Sequence, residues 1–271
     1  VASYLDAIVA AHRAFAANDE RDLEELARQA AIAPEPRPFL QALLDKGHAD
    51  GSVAVIAEIK RRSPMTGDLA PKLDPADLAR KYAGGGATCL SVLTDGPHFG
   101  GSASDLMSAR NAVTLPVLRK DFTVALRDLF DARVMGADAV LLIVAILSDE
   151  ELVAFGALAD ELGLSALIEV HDEAELERAC SIGAKLIGVN QRDLHTFDVE
   201  AERAAKLARL IPNDVVKVAE SGIKNRGDIA RLVDAGYDAV LIGESLVRSH
   251  DPTDALEKLI GGTGRVRKEA R

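Results

Sequence analysis

Tryptophan is absent from this 271-residue chain, and Phe, Tyr and Trp together supply only 4 % of it. The apolar share is 48 %, so a sizeable core must be filled by Ala, Val, Leu and Ile. Such residues suit a parallel sheet buried on both faces. Cysteine is nearly missing: Cys89 falls in a strand-like run and Cys180 in a helix-like one. Both read as packed small apolar side chains, not as a disulfide or a metal cluster. Basic residues are the minority, 32 Lys and Arg against 43 Asp and Glu, for a formal net charge of −11. A field of that sign repels nucleic acid and anionic membranes, and no basic stripe interrupts it, so neither partner is expected. No apolar run approaches the ~20 residues that cross a bilayer, and no basic-then-apolar leader is seen. The expected compartment is the cytoplasm. An anionic ligand would have to be held by local donors, against the global field.

What is present is an alternation. Residues 1–50 read as a helical extension packed on the main domain, with apolar stripes at Tyr4, Leu5, Ile8 and Val9, then at Leu23, Leu26 and Ala27. Pro34–Pro38 breaks the pattern, and Phe39, Leu40, Leu43 and Leu44 resume it. From there to residue 260, eight short apolar runs alternate with amphipathic stretches. The runs are Val53–Ile59, Thr88–Leu93, Pro116–Lys120, Asp138–Val144, Ser165–Val170, Lys185–Asn190, Val215–Glu220 and Asp238–Gly243. Helices are expected at 74–83, 102–112, 125–135, 149–162, 172–182, 199–210, 225–235 and 252–260. A weak repeat marks the joints: Gly136-Ala137-Asp138-Ala139-Val140 returns as Gly236-Tyr237-Asp238-Ala239-Val240. Glycine just past a helix allows the left-handed turn into the next strand. Eight such units in about 250 residues predict an α/β fold, a (β/α)8 TIM barrel with an N-terminal helical extension. No Gly-x-Gly-x-x-Gly follows the first strand, against a dinucleotide fold. The tail 261–271, glycine-rich and then charged, is expected to be disordered.

Charge then turns up where a barrel core should be apolar. Residues two apart in a strand share a face, so Glu58 and Lys60 point the same way. Lys120, Glu169, Asn190 and Glu220 each stand at or near the end of a later strand. Interior positions of barrels are normally branched aliphatics, and the C-terminal rim is where barrel enzymes keep their chemistry. Ammoniums and carboxylates sharing one pocket shift each other's proton affinity, as acid–base work requires. A second constellation follows strands seven and eight, Glu220-Ser221-Gly222 and Gly243-Glu244-Ser245. Barrels often bind phosphate there, on glycine backbone and the start of a short helix, here at Glu244. His12, His48, His98, His171, His195 and His250 show no ligand spacing and read as surface or loop residues, so no metal is expected. Ser221 has no His-Asp partner nearby in sequence, which leaves a hydrolase triad unsupported.

Six segments taken together resemble the indole-3-glycerol-phosphate synthase family: VIAEIKRRSP at 55–64, PVLRKDF at 116–122, LIEV at 167–170, IGVNQRDL at 187–194, VAESGI at 218–223 and LIGESL at 241–246. The likeness runs from about Arg37 to Leu259. It implies a lyase of tryptophan biosynthesis that closes 1-(2-carboxyphenylamino)-1-deoxyribulose 5-phosphate to indole-3-glycerol phosphate, losing carbon dioxide and water without a cofactor. The partner implied is thus a small phosphorylated, anthranilate-derived substrate. By this resemblance Lys120 is a general acid and Glu169 an acid/base. Glu58, Lys60, Asn190, Glu220 and Ser221 bind or polarise the substrate, with Lys60 also holding an anionic group. Gly222, Gly243 and Glu244 form the phosphate site, Ser63 and Arg192 are further pocket positions, and Phe99 and Phe122 supply aromatic walls. Departures are Met65, where the family commonly has Ser, and Thr94-Asp95-Gly96-Pro97-His98-Phe99, where it carries two adjacent Phe. Two other readings are a phosphate-binding barrel isomerase and a non-catalytic paralogue that senses a phosphorylated metabolite. An isomerase does not call for two interior Lys and three interior Glu, and a sensor should have lost a catalytic position.

Overall fold

The computed structural model describes residues 4–50, 53–193 and 198–261, without the side chains of 48–50 and 201. Eight strands close a parallel barrel: β1 (Ala54–Ile59), β2 (Cys89–Leu93), β3 (Val117–Lys120), β4 (Ala139–Ile143), β5 (Ser165–Val170), β6 (Leu186–Asn190), β7 (Val216–Glu220) and β8 (Ala239–Ile242). Each pairs with its neighbours in sequence, and β1 closes on β8 with Ala54 opposite Ala239. A helix follows every strand, from Pro75–Gly84 after β1 to Pro252–Ile260 after β8. The fold is a (β/α)8 TIM barrel with helices before it.

The repeat seen in the sequence has a structural reason. Gly136 and Gly236 adopt φ of 84° and 98°, which a Cβ would disfavour. The aspartates two residues on then turn back to the preceding strand: Asp138 Oδ2 accepts from the Val117 N–H at 2.8 Å and Asp238 Oδ2 from the Lys217 N–H at 3.0 Å. Each joint therefore fixes the register of its strand as well as its direction.

Two apolar layers result. Between strands and helices pack Val55, Leu90, Val140, Ile187 and their neighbours. Inside the ring lie Ala54, Ile56, Cys89, Leu118, Leu141, Leu167, Val218 and Leu241, joined by Phe39 and Leu43. Cys89 and Cys180 are free thiols, the first buried inside the barrel and the second half-buried on a helix, as packed apolar residues should be. Phe39 and Leu43 come from α3 (Phe39–Asp50), which stops the N-terminal mouth of the ring.

The other early helices sit elsewhere. α1 (Tyr4–Ala17) crosses the opposite, C-terminal rim, where Arg13 donates to Glu151 at 2.7 Å and to the Ile146 carbonyl at 2.8 Å. α2 (Leu23–Ile32) runs along the outside against the helix Leu126–Val134. The proline-rich link to α3 is pinned by Arg133, which donates to the Pro34 and Ala33 carbonyls, and by Asp138, which accepts from the Arg37 N–H at 2.7 Å. Of the tail expected to be disordered, only Gly261 is described, closing the last helix. Residues 262–271 lie outside the described residues.

Candidate active site

Alternation along each strand sends the aliphatics of the ring's lower layers and the charged residues of its upper rim to the same interior face. Above Ile56 stands Glu58, above Leu118 stands Lys120, above Leu167 stands Glu169 and above Val218 stands Glu220. They open into a cavity of about 560 Å³ at the C-terminal end of the barrel. All the site positions singled out from the sequence line this one cavity: Glu58, Lys60, Lys120, Glu169, Asn190, Glu220 and Ser221, the flanking Ser63, Phe99, Phe122 and Arg192, and the Gly222, Gly243 and Glu244 group.

On its floor the Lys120 ammonium lies 3.1 Å from Glu169 and 3.5 Å from Glu220. Burial works against that ammonium, yet Glu169, Glu220 and Glu58 around it raise its pKa above the ordinary lysine value. Glu169 resists burial because Lys120, His171 and the Asn190 amide (3.2 Å) favour its charge, and its pKa falls. Glu220 goes the other way. Burial, only partly offset by Lys120 and reinforced by the nearby Glu169, pushes it up to about 8. One cluster thus holds an ammonium, a carboxylate and a carboxyl group that keeps its proton at neutral pH. Beside it Lys60 meets Glu58 at 2.6 Å.

Two glycines make room for these carboxylates. A Cβ on Gly188 of β6 would stand 2.1 Å from Glu220 Oε1, and one on Gly243 would stand 2.3 Å from Glu58 Oε1. Neither carboxylate could keep its place beside a larger residue. Ser221 and Gly222 follow with φ of 66° and 74°. For serine that left-handed state costs about 1–2 kcal/mol. Gln191 holds the turn, its side-chain N–H donating to the Ser221 carbonyl at 2.8 Å. The short helix expected at Glu244 is present as Glu244–Val247, preceded by Gly243.

The sequence of the chain matches the model of the family described as indole-3-glycerol phosphate synthase over residues 5–259. An indole-3-glycerol phosphate synthase of a Nocardioides species is 49 % identical over 264 residues, covering 96 % of this chain and 98 % of that one. The Micrococcus luteus enzyme of the same name is 50 % identical over 239 residues, 87 % of this chain and 89 % of the other. The chain belongs to the indole-3-glycerol phosphate synthase family. Among solved structures, a thiamine phosphate pyrophosphorylase from Pyrococcus furiosus superposes with a TM-score of 0.57 at 16 % identity, covering 78 % of this chain and 94 % of that one. A tryptophan synthase α2β2 complex from Pyrococcus furiosus gives 0.58 at 14 %, covering 78 % and 98 %. At such identities the likeness is one of barrel fold alone.

Other residues at the cavity lie outside the six motifs. Lys224 and Arg248 line the cavity beside Gly222 and Glu244 and bring positive charge to that end. His171 sits in the loop after β5, as expected, but not at the surface. Its side chain is nearly buried, with Nε2 3.5 Å from Glu169 and Nδ1 3.0 Å from Glu175, and its pKa is raised by those carboxylates despite burial. Its place directly after the LIEV segment, two residues from Glu169, was the available signal. His12 and His98 also depart from expectation, for both meet on the buried Asp95, at 2.9 and 3.1 Å. His12 is remote in sequence, so spacing could not reveal that meeting. His195 and the His48 side chain lie outside the described residues. The altered loop at Thr94–Phe99 forms a short helix, Gly96–Phe99, and still delivers Phe99, whose ring lies 6.3 Å from that of Phe122. Met65 is half exposed at the mouth, 3.9 Å from the Arg192 guanidinium.

Proposed function

We propose that the chain closes 1-(2-carboxyphenylamino)-1-deoxyribulose 5-phosphate to indole-3-glycerol phosphate, with loss of carbon dioxide and water. The observation that carries this reading is the Lys120 ammonium bracketed by Glu169 and Glu220 on the cavity floor. Ring closure makes a bond from the carboxyl-bearing aromatic carbon to the ketone carbon, and the ketone oxygen needs a proton as it gains charge. Lys120 enters the reaction protonated and supplies it. Departure of carbon dioxide returns the electron pair to the ring. Loss of water then requires a proton on the leaving hydroxyl and a base for the proton released from the closed ring. Glu169, ionised and hydrogen-bonded by Asn190, is the base. His171, its Nε2 3.5 Å from the far oxygen of Glu169, favours the charge of that carboxylate.

The remaining roles follow from position. Glu58 and Lys60 reach the substrate from β1, with Lys60 also facing an anionic group. Glu220, protonated, offers a hydrogen bond, and Ser221 adds its hydroxyl. Phe99 and Phe122 flank the aromatic ring, and Ser63 and Arg192 complete the wall. The phosphate takes the backbone of Gly222, Gly243 and Glu244, where glycine permits close approach, with Lys224 and Arg248 near it. Every step is a proton transfer or a bond change that ammonium and carboxyl groups can serve, so neither metal nor cofactor is required. The partner is this metabolite, not nucleic acid, and the cytoplasm is the matching compartment. Among the described residues no helix is long and apolar enough to cross a membrane.

A fluorescence assay with the synthetic anilino-deoxyribulose phosphate tests the proposal. Indole fluorescence should appear with turnover at catalytic enzyme concentrations. Saturable substrate binding without product would instead mean a metabolite sensor.

A further inference from the structure

Behind the aromatic wall of the cavity, metal-type donors from distant parts of the chain converge. His12 Nε2 on α1, Asp95 Oδ2 in the turn after β2 and His98 Nδ1 on the next short helix all lie within 4.8 Å of one another. None of the three lines the reaction cavity. Asp95 is buried, and its Oδ1 is already engaged by the backbone N–H groups of His98 at 2.7 Å and Phe99 at 3.1 Å. The chain therefore fixes how this carboxylate points, leaving Oδ2 to face both imidazoles, at 2.9 and 3.1 Å. The rings are held as well: His12 packs on Phe122 at 5.2 Å, and His98 stands edge-on to Tyr4 at 5.9 Å.

Two imidazole nitrogens and one carboxylate oxygen form a donor set suited to zinc and its late first-row neighbours, whereas magnesium and calcium seek oxygen alone. Hydrogen bonds to the oxygen opposite the metal orient a ligating carboxylate, and Asp95 has two of them before any ion arrives. We propose that His12, Asp95 and His98 form a binding site for one divalent late transition-metal ion, Zn²⁺ above all, which fastens the first helix to the turn after β2. On binding, each neutral imidazole gives its lone pair to the ion and carries its proton on the other ring nitrogen. Water completes the coordination. The ion is structural, separate from the acid–base cluster, and its presence or absence leaves the proposed reaction chemistry intact.

Isothermal titration of the untagged, metal-stripped full chain with ZnCl₂ tests this, with Co²⁺ as a spectroscopic stand-in whose visible bands report nitrogen and oxygen ligation. One saturable ion per chain is expected, with a thermal midpoint that climbs as Zn²⁺ is raised, because the ion binds the folded form. His98→Ala and His12→Gln should each weaken binding by about tenfold or more, while circular dichroism and turnover without metal confirm that they are folded. Asp95→Asn keeps an acceptor for the two backbone N–H groups and should weaken binding too. Absence of a saturable one-to-one isotherm would overturn the proposal. So would unchanged affinity in the two histidine variants, which would place the ion elsewhere.

Discussion

At Lys120 the chain places an ammonium at the bottom of a cavity with carboxyl groups at 3.1 and 3.5 Å. If it is the acid of ring closure, Lys120→Met keeps the stem, deletes the proton and should lower the single-turnover rate by about 10²–10⁴ while substrate still binds. Lys60→Met should also raise the dissociation constant if, as proposed, that lysine holds an anionic group of the substrate. Single-turnover kinetics beside a binding titration on both variants separates the two roles, and a near-native rate for Lys120→Met would move the acid to Lys60. Glu220 allows a test through stability. Its pKa in the fold, about 8, lies above the ~4.3 of an unfolded chain. Between these values the folded protein holds a proton that the unfolded chain has released, so stability falls as pH rises across the window. Glu220→Gln removes that dependence. Its melting temperature should match the parent near pH 4 and exceed it increasingly towards pH 8, by ~2–4 °C for each kcal/mol gained, although turnover drops. Thermal melts across that range check it, and a variant less stable than the parent at pH 8 would contradict the assignment.

Among elements, β6 serves the site with a gap as well as with the Asn190 amide at its end. Gly188 stands opposite the Glu220 carboxylate, and the missing side chain is the space that the carboxylate occupies. Gly188→Ala should displace Glu220 and cut kcat by about tenfold or more, with KM less affected and circular dichroism unchanged. Steady-state kinetics decides this, and unaltered kcat would mean that Glu220 tolerates another position. Gly243 carries a similar constraint from Glu58, so Gly243→Val should lower kcat as well as raise KM. Backbone approach to phosphate, read from the sequence, gives a reason for that glycine but not the whole of it. The strands were legible to within a residue or so because uninterrupted Val, Ile and Leu runs ended by Gly turns leave a buried parallel strand little alternative. The two-residue ribbon of Arg62–Ser63 with Gly67–Asp68 and the helix Gly96–Phe99 were not, since neither has enough apolar periodicity to register. Charged residues of the rim stood out against that apolar background. His171, Lys224 and Arg248 did not, because each sits in a loop where polar side chains are the rule.

For the whole molecule the barrel needs its stopper. Phe39 and Leu43 of α3 are fully buried and share one interior cluster with the lowest ring residues, Ala54, Cys89 and Ala239. Phe39→Ala should cost about 3–5 kcal/mol and be read as a lower midpoint in urea, with kcat at 25 °C little changed because the reaction cavity lies at the other end. A loss below ~1 kcal/mol would show that the ring closes well enough alone. The closure of β1 on β8 also bears on how the protein is made. Ala54 has to wait for Ala239, which leaves the ribosome about 180 residues later, on the order of 10–40 s at usual rates of synthesis. Until then β1, apolar but for Glu58, offers one edge of unpaired backbone groups, and the stopper helix has only part of its seat. The nascent chain passes through a long interval as an open, sticky arc. Its demand for chaperones should therefore peak as the last strand emerges and end once the ring has shut.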